Sequence, residues 1–521
     1  MADKTILNTL FKIQCQINAL REGQKEKLGN QLIVSKEGSD GIARGDDHMP
    51  YLTLTGAIAA ASSGDSIKVL PGTYTIGEIG SGADMENDGK GTINLKNGVD
   101  IHFENGVVFE CIDATYGLSF PMQYQPVDGE VIDITITGFL DYIAGVSGNP
   151  LVILLDSVAF DATYRFVMEM NYGEILDFWG AALVIRASGD YHFVAKHFKL
   201  ANTTAGTANN LIAINPSGTD DPLTINLAVE IDQIEFDDTI AGGDNRAILL
   251  IRKCIDSNVC IEVGNVFGNA MASGILLSFT GFGGNHVNNN IKFNVGNIRL
   301  LNPRVVDGTY AGFVNGSGTQ ATGNGSDESN KVGTLVFVYN QNATGDWKNN
   351  RIDITANNIS GHTGASVYFN LRNENVTEDN LFSVVAVNIE TEDDYPAVFI
   401  DTRNGSGLNL GQYSIRVHNV GKSSSVPIVT SQFGVDTHQI ELIGRFASTD
   451  LTNPVIEIHE SWTNPIVLRN AILLTTATNS IIRRTGATAL NAVVYGSYAN
   501  TAPAAFLTQL VDTITVDVNA V

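Results

Sequence analysis

The sequence predicts an all-β solenoid, on the basis of one short pattern, the spacing of its copies and the composition of the chain. Residues 258–266 (NVCIEVGNV) return 32 residues later as residues 290–298 (NIKFNVGNI), and each copy alternates apolar and polar residues. Such alternation is typical of a strand with one buried face. Each copy ends in a small or turn-forming residue, an asparagine and a β-branched residue.

The spacing of the repeated asparagines indicates the length of one turn. Successive steps are 32, 61, 30, 31 and 51 residues, and we interpret the steps of 61 and 51 as about two units each. Repeats of this length that consist of short strands are typical of solenoids. We interpret the asparagines as turn residues whose side chains stack on their neighbours in adjacent turns. They are Asn265, Asn297, Asn358, Asn388, Asn419 and Asn470.

The composition agrees with many short strands and excludes several classes of function. Charged residues make up 17% of the chain, which contains 52 glycines, a residue that tolerates tight turns. The formal net charge of -25 argues against nucleic-acid binding, which requires a basic surface. No apolar run approaches the ~20 residues that cross a bilayer, so membrane insertion is not expected. We expect free thiols, no metal and no cofactor, because the four cysteines lack Cys-x-x-Cys pairing and zinc-ligand spacing.

Residues 1–30 form an N-terminal helical stem in this interpretation. Their apolar residues are spaced by four and three positions, which predicts a heptad seam whose composition favours trimers or tetramers. A helix this short is marginal alone, so it forms when chains associate or when it docks on a larger body. The alternative is a monomeric helix that caps the solenoid. The residues of the seam are Ile6, Leu10, Ile13, Ile17 and Leu20.

The rest of the chain divides by composition and periodicity. Residues 31–50 are polar and glycine-rich and are predicted to be a connector. Residues 51–75 contain an alanine-rich helix followed by a strand, a Pro-Gly turn and a second strand. Residues 76–498 form the solenoid shaft, and residues 499–521 contain a closing strand. The shaft has about a dozen turns, which gives a rod on the order of 60 Å at ~4.8 Å between stacked strands.

The residues at the start of the shaft resemble a known family. The helix at Ala57–Ala61 and the segment Gly64–Thr75 (GDSIKVLPGTYT) are similar to the first segment of right-handed parallel β-helix proteins of the pectate-lyase-like superfamily, which includes bacteriophage tailspikes. The resemblance covers about residues 50–500. It implies a single-stranded right-handed parallel β-helix, with the helix as a cap over its first turn. The ordered motif of the polygalacturonase branch is absent, which weakens an enzymatic interpretation.

Candidate glycan-binding residues are aromatic or acidic residues between or beside strands. The alternatives are aromatic side chains that pack against a neighbouring turn or chain, and acids that only provide solubility. The glycan-binding candidates are Trp347, Trp462, Glu390, Glu392, Asp393 and Asp394. Paired acids could also support glycan hydrolysis, which needs carboxyl groups ~5–9.5 Å apart. The further acids considered for this role are Glu230, Asp232, Glu235, Asp237, Asp238, Glu457 and Glu460.

Together these features favour a phage virion protein of the tailspike or tail-fibre class. We expect a homotrimer, assembled in the host cytoplasm, that attaches to other virion proteins through its N-terminus and contacts host-surface polysaccharide with its shaft. Trimerisation would multiply weak glycan contacts. One alternative is a glycan depolymerase, either a hydrolase or a lyase, although the residues favour a non-enzymatic role. The other alternative is a purely structural virion fibre such as a head fibre.

Overall fold

A computed structural model describes most of the chain between residues 29 and 499. The described residues are 29–43, 45–75, 93–111, 122–124, 130–144, 153–155, 163–176, 180–185, 188–202, 209–214, 222–238, 248–251, 253–269, 277–280, 286–301, 336–341, 347–360, 367–370, 377–390, 397–401, 409–422, 429–432, 439–448, 456–459, 466–475, 482–485, 492–495 and 498–499.

The described part of the chain contains one short helix and a long series of strands. The helix, α1, spans Leu54–Ala60. The strands are β1 (Gln31–Val34), β2 (Ser66–Val69), β3 (Gly72–Thr75), β4 (Ile93–Asn94), β5 (Asp100–Cys111), β6 (Met122–Tyr124), β7 (Val131–Ala144), β8 (Ile153–Leu155), β9 (Thr163–Leu176), β10 (Gly180–Ile185), β11 (Ser188–Asn202), β12 (Asn209–Ile214), β13 (Ile225–Asp238), β14 (Leu249–Ile251), β15 (Cys254–Ile255), β16 (Asn258–Asn269), β17 (Leu277–Thr280), β18 (His286–Val287), β19 (Asn290–Leu301), β20 (Val336–Gln341), β21 (Trp347–Lys348), β22 (Arg351–Ser360), β23 (Val367–Asn370), β24 (Thr377–Glu390), β25 (Val398–Asp401), β26 (Asn409–Lys422), β27 (Val429–Gln432), β28 (Gln439–Ser448), β29 (Ile456–His459), β30 (Ile466–Thr475), β31 (Ile482–Thr485), β32 (Ala492–Tyr495) and β33 (Tyr498–Ala499).

The strands form a parallel β-solenoid. In the large sheet each long strand pairs in parallel with the long strand of the next turn, for example β13 with β16, β16 with β19 and β19 with β22. A second sheet collects the short strands in the same way, from β4 and β6 through to β29 and β31. The solenoid predicted from the repeat is therefore confirmed. The number of about a dozen turns refers to the whole chain and stays a prediction.

Each long strand turns a corner, and its residue pattern explains why. In β22 the side chains of Ile352, Ile354 and Ala356 are buried, and so is Ile359, whereas the two residues between them, 357 and 358, are exposed. Side chains of a straight strand alternate between its two faces. Two successive outward residues therefore mark the place where the strand bends from one wall of the coil to the next.

The apolar positions of successive turns stack into one continuous core. Phe293 is 0% exposed and is aligned with Ile261 of the turn before and Ile354 of the turn after. Full burial of such a side chain is worth ~1.5–3 kcal/mol. Phe293 therefore points inward, in agreement with the alternating pattern of residues 290–298, and the solenoid is held together by a column of such side chains.

One interpretation of the repeat spacing is wrong. The step of 61 residues is a single turn, because Asn297 pairs directly with Asn358. The extra residues lie between β19 and β20, and most of them, residues 302–335, fall outside the described part of the chain. The step of 51 residues does contain an intermediate strand, β28 (Gln439–Ser448), as the interpretation of two units requires.

The first described residues include a strand of the solenoid, although the composition predicted only a connector there. Gln31–Val34, placed by composition within the connector of residues 31–50, forms β1 and pairs in parallel with β2. Helix α1 follows. The Thr53 Oγ1 caps it by accepting a hydrogen bond from the Gly56 backbone N–H at 2.9 Å, and it buries Leu54, Ala57 and Ile58 against the core. Residues 1–28 of the predicted stem, with all five heptad residues, lie outside the described residues, as do most of residues 499–521.

Candidate functional site

The outer surface of the large sheet carries a column of stacked asparagines at the corner of the coil. The Asn297 Nδ2 donates to Asn265 Oδ1 at 3.0 Å, and the Asn358 Nδ2 donates to Asn297 Oδ1 at 2.7 Å. The Asn388 Nδ2 donates in turn to Asn358 Oδ1 at 2.7 Å. Asn419 continues the register by pairing with Asn388. We call these residues the outer amide column. It links successive turns at the point where each strand bends.

The register of this column changes after Asn419. Asn419 pairs with Arg445, and Arg445 pairs with Ile472, so Asn470 lies two positions before the residue that continues the column. The pairing also skips a residue beside Gly444, whose φ is +117° and whose position a Cβ could not occupy without meeting the Val417 carbonyl oxygen. The asparagine periodicity is therefore lost at the turn where the strand geometry changes.

A second polar column, which the sequence reasoning missed, is buried inside the corner near the start of β16, β19, β22 and β24. It consists of Ser257, Asn289, Asn350 and Asn380, each 1–3% exposed. The residue before each of them has a positive φ, between 49° and 58°. Asparagine and aspartate tolerate this left-handed conformation better than most residues, which explains why Asp256, Asn288, Asn349 and Asp379 occupy these places. The sequence signal was present as a polar pair before the alternating patterns of β16, β19, β22 and β24, at residues 256–257, 288–289, 349–350 and 379–380.

We call Ser257, Asn289, Asn350 and Asn380 the buried amide column. Its hydrogen bonds connect adjacent turns through both side chains and backbone. The Asn350 Oδ1 accepts from the Asn289 Nδ2 at 2.9 Å and from the Asn289 backbone N–H at 3.2 Å. The Asn350 Nδ2 donates to the His286 carbonyl oxygen at 2.7 Å and to Asn380 Oδ1 at 2.9 Å. All four hydrogen-bonding positions of this buried amide are used. The column therefore fixes which turn stacks on which.

Charged groups form a different pattern between β11 and β13. The Lys199 Nζ lies 2.8 Å from Asp237 Oδ2, the His197 Nε2 lies 3.1 Å from Glu235 Oε2, and the His192 Nε2 lies 3.8 Å from Glu230 Oε1. In each case the basic residue reaches diagonally to the acid two positions beyond its aligned partner. A partly exposed lysine–carboxylate pair of this kind contributes ~0.2–1 kcal/mol, and the two histidine contacts are ion pairs only when the imidazole is protonated. These acids contact bases of the adjacent turn, and Asp232 on the same strand is exposed.

Of the six candidate glycan-binding residues, the structure describes two, Trp347 and Glu390, and these lie on different strands. Trp347 lies in β21, between His286 and Thr377 of the adjacent turns. Glu390 is exposed at the end of β24. The other candidates, Trp462, Glu392, Asp393 and Asp394, lie outside the described residues, as does Glu460. Asp238 and Glu457 lie in β13 and β29.

Four ionisable groups among the described residues have pKa values that their surroundings clearly shift. The first is Glu104, whose carboxyl pKa is lowered by the hydrogen bond from Lys68 and by the charge of that lysine. Backbone N–H donors of Ser62 and Asn30 lower the pKa of the Asp65 carboxyl. Burial raises the pKa of the Cys254 thiol to about 12 although a hydrogen bond to Ser257 acts in the opposite direction, so this thiol is an inert core group. Burial and the hydrogen bond that the Tyr124 hydroxyl donates to Glu130 raise the pKa of Tyr124. Each of these effects has a structural origin at a turn or corner.

Within the described ranges no three His, Cys, Asp or Glu side chains group in a way that could hold a metal ion. Among the same residues no helix is long and apolar enough to cross a membrane. The comparisons with known proteins leave the fold as the guide to function: no protein-family model matches the chain, and no match exists among the curated proteins or the solved structures.

Proposed function

We propose that this chain is the shaft of a phage virion fibre of the tailspike class, which contacts a host-surface glycan. The observation that carries the proposal is the in-register parallel stack, in which the strands of one turn align with those of the next across an interval of 61 residues. A stack of this kind is a stiff, elongated body that grows by adding turns. Such a body suits the task of holding a contact surface away from a particle.

The same proposal includes the finer features expected from the family resemblance. The coil is right-handed and has about a dozen turns, α1 covers its first turn, and residues 1–30 join three chains and attach them to other virion proteins. The short helix and the strand, Pro-Gly turn and strand that follow it support this assignment, because they stand in the order that the resemblance implies. Assembly takes place in the host cytoplasm.

Glycan contact is proposed for the outer surface because polar groups repeat along it. Amide side chains recur once per turn from Asn265 to Asn419, at the ~4.8 Å spacing of stacked strands. A polysaccharide also repeats its polar groups, so several weak contacts can form together. Three shafts in one trimer would raise the effective concentration of these contacts further.

A binding assay with product analysis tests the proposal. Purified full-length protein is incubated with surface polysaccharides extracted from a panel of bacterial strains, and binding and polymer length are measured together. Saturable binding with unchanged polymer length supports the proposed fibre function. Shortened polymer would instead assign a glycan depolymerase. Failure to bind any polysaccharide and to block infection, by a protein that is trimeric and present on virions, would assign a purely structural fibre such as a head fibre.

A further inference from the structure

The first strand of the stack has an edge that faces away from the rest of the solenoid. One side of β1 pairs with β2, from Gln31 opposite Ser66 to Val34 opposite Val69. The other side has no earlier turn of the described coil to pair with. An uncovered strand edge is a template for the strand of another molecule, so stable β proteins cover or interrupt such edges.

In this protein residues 45–53, which we call the end segment, cover that edge. The Ile33 backbone N–H donates to the Gly45 carbonyl oxygen at 2.8 Å, and the Ile33 carbonyl oxygen accepts from the Tyr51 N–H at 2.8 Å. The Ser35 N–H donates to the Tyr51 carbonyl oxygen at 2.9 Å, next to a parallel bridge between Val34 and Tyr51. The backbone groups of residues 33 and 35 are thus occupied on the outer side.

The end segment does not create a new edge in place of the old one. Pro50 has no backbone N–H, and the N–H of Tyr51 is used by Ile33. The N–H groups of Leu52 and Thr53 both donate to Asp40 Oδ1, at 2.8 and 3.0 Å. Every backbone donor from residue 50 to residue 53 is therefore missing or already bound.

Asp40 holds this arrangement in place through a third contact. The Thr53 Oγ1 donates to Asp40 Oδ2 at 2.5 Å, and Thr53 is the residue that caps α1. Gly56, in the first turn of α1, makes room for the carboxylate, since a Cβ at that position would lie 2.8 Å from Asp40 Cγ. A methyl group at residue 56 would displace the end of the Asp40 side chain and leave the backbone of α1 intact.

We propose that the end segment is an edge guard, latched by Asp40, that prevents a second copy of this chain from pairing with β1. Release of the latch frees the donors of Leu52 and Thr53 and loosens the cover over Ile33 and Ser35. Solenoids then join end to end through backbone hydrogen bonds, which are the contacts by which one strand adds to another sheet.

The test compares variants of the full-length protein. Gly56→Ala displaces the carboxylate while replacing glycine by a better helix former, so it is expected to stay folded. Asp40→Ala removes the carboxylate. Asp190→Ala is the matched control, because Asp190 accepts a hydrogen bond from Asn226 on the side of the shaft, away from this end.

The readouts are amide hydrogen exchange at residues 33, 35, 52 and 53 and particle mass by sedimentation velocity as a function of concentration. We expect faster exchange at these amides in Gly56→Ala and Asp40→Ala, with mass that increases in whole multiples of the wild-type particle and lengthened particles by electron microscopy. The control should match the wild type in both readouts. The proposal is overturned if the Gly56→Ala and Asp40→Ala proteins, folded by circular dichroism, keep wild-type exchange, or exchange faster but never exceed wild-type mass.

Discussion

Asn350→Ala should destabilise the solenoid far more than the same change eight residues later at Asn358. Both asparagines lie in one turn, and both stack on asparagines of the adjacent turns. Asn350 is 2% exposed, whereas Asn358 lies on the surface. The comparison therefore isolates burial from the identity of the residue and from its stacking.

The magnitude follows from the donors that lose their acceptor. Truncation of Asn350 removes the oxygen that accepts from both the backbone N–H and the Nδ2 of Asn289, and water does not reach this site. A buried group left unsatisfied costs ~1–3 kcal/mol, so two such donors cost about 2–6 kcal/mol. At Asn358 solvent replaces the lost partners, and the expected cost is below ~1 kcal/mol.

Equilibrium urea unfolding of both variants, followed by circular dichroism, measures the difference. Amide hydrogen exchange at residues 286–300 should show that the loss in Asn350→Ala is centred on the turn that contains Asn289. Equal shifts of the urea midpoint in the two variants, or a larger shift in Asn358→Ala, would refute the assignment of Asn350 to a buried structural column.

Three further predictions concern the core, the acid response and the long interval between β19 and β20. Phe293→Asp places an unpaired charge in the core and should lower the free energy of unfolding by several kcal/mol, and an unchanged urea midpoint would contradict its inward orientation. Because backbone donors lower the pKa of Asp65, its stabilising contribution is present above its unfolded value of ~3.9 and is lost as pH falls through the lower folded value. As the pH falls through that lower folded value, the exchange protection factors of the Ser62 and Asn30 amides should decrease, and Asp65→Asn should remove this pH dependence. Replacement of residues 308–331 by a short glycine-serine linker should leave the thermal midpoint nearly unchanged, because Asn297 pairs with Asn358 across the interval. A collapse of the far-UV spectrum would show instead that these residues belong to the stack.

The solenoid could be predicted from the sequence because its cause is local and periodic. Alternation of apolar residues sets which side chains face inward, and the same alternation is visible in the sequences of the long strands β7, β9 and β13. The helix near Ala57 and the strands on either side of Pro71-Gly72 are confirmed in the same way.

Two sequence-based interpretations were wrong because the spacing of residues along the chain does not show which strands pair with each other. A step of 61 residues is compatible with two ordinary turns or with one turn that carries an insertion, and only the direct pairing of Asn297 with Asn358 distinguishes them. β1 was missed because Gln31–Val34 is short and is surrounded by polar, glycine-rich sequence.

The buried amide column was missed for a different reason. A polar residue is expected at the surface, and Asn289 is stable inside the coil only because the adjacent turn supplies its partners. No single turn contains that information. The glycan-contact candidates are the least predictable feature, since aromatic and acidic residues beside strands serve packing and solubility as readily as binding.

The central claim is that turns distant in sequence lie directly on one another, and an engineered cross-link tests it most directly. Asn294 is aligned with Thr355, and Thr355 is aligned with Val385 of the following turn. In a cysteine-free background, Asn294→Cys/Thr355→Cys joins positions one strand apart, ~4.8 Å, within the range of a disulfide. Asn294→Cys/Val385→Cys joins positions two strands apart, ~9.6 Å, beyond that range. We predict that mild oxidation forms an intrachain disulfide in the first protein and not in the second, as detected by non-reducing electrophoresis and mass spectrometry. Absence of the first disulfide in a folded protein, or equal formation of both, would contradict the stacked arrangement.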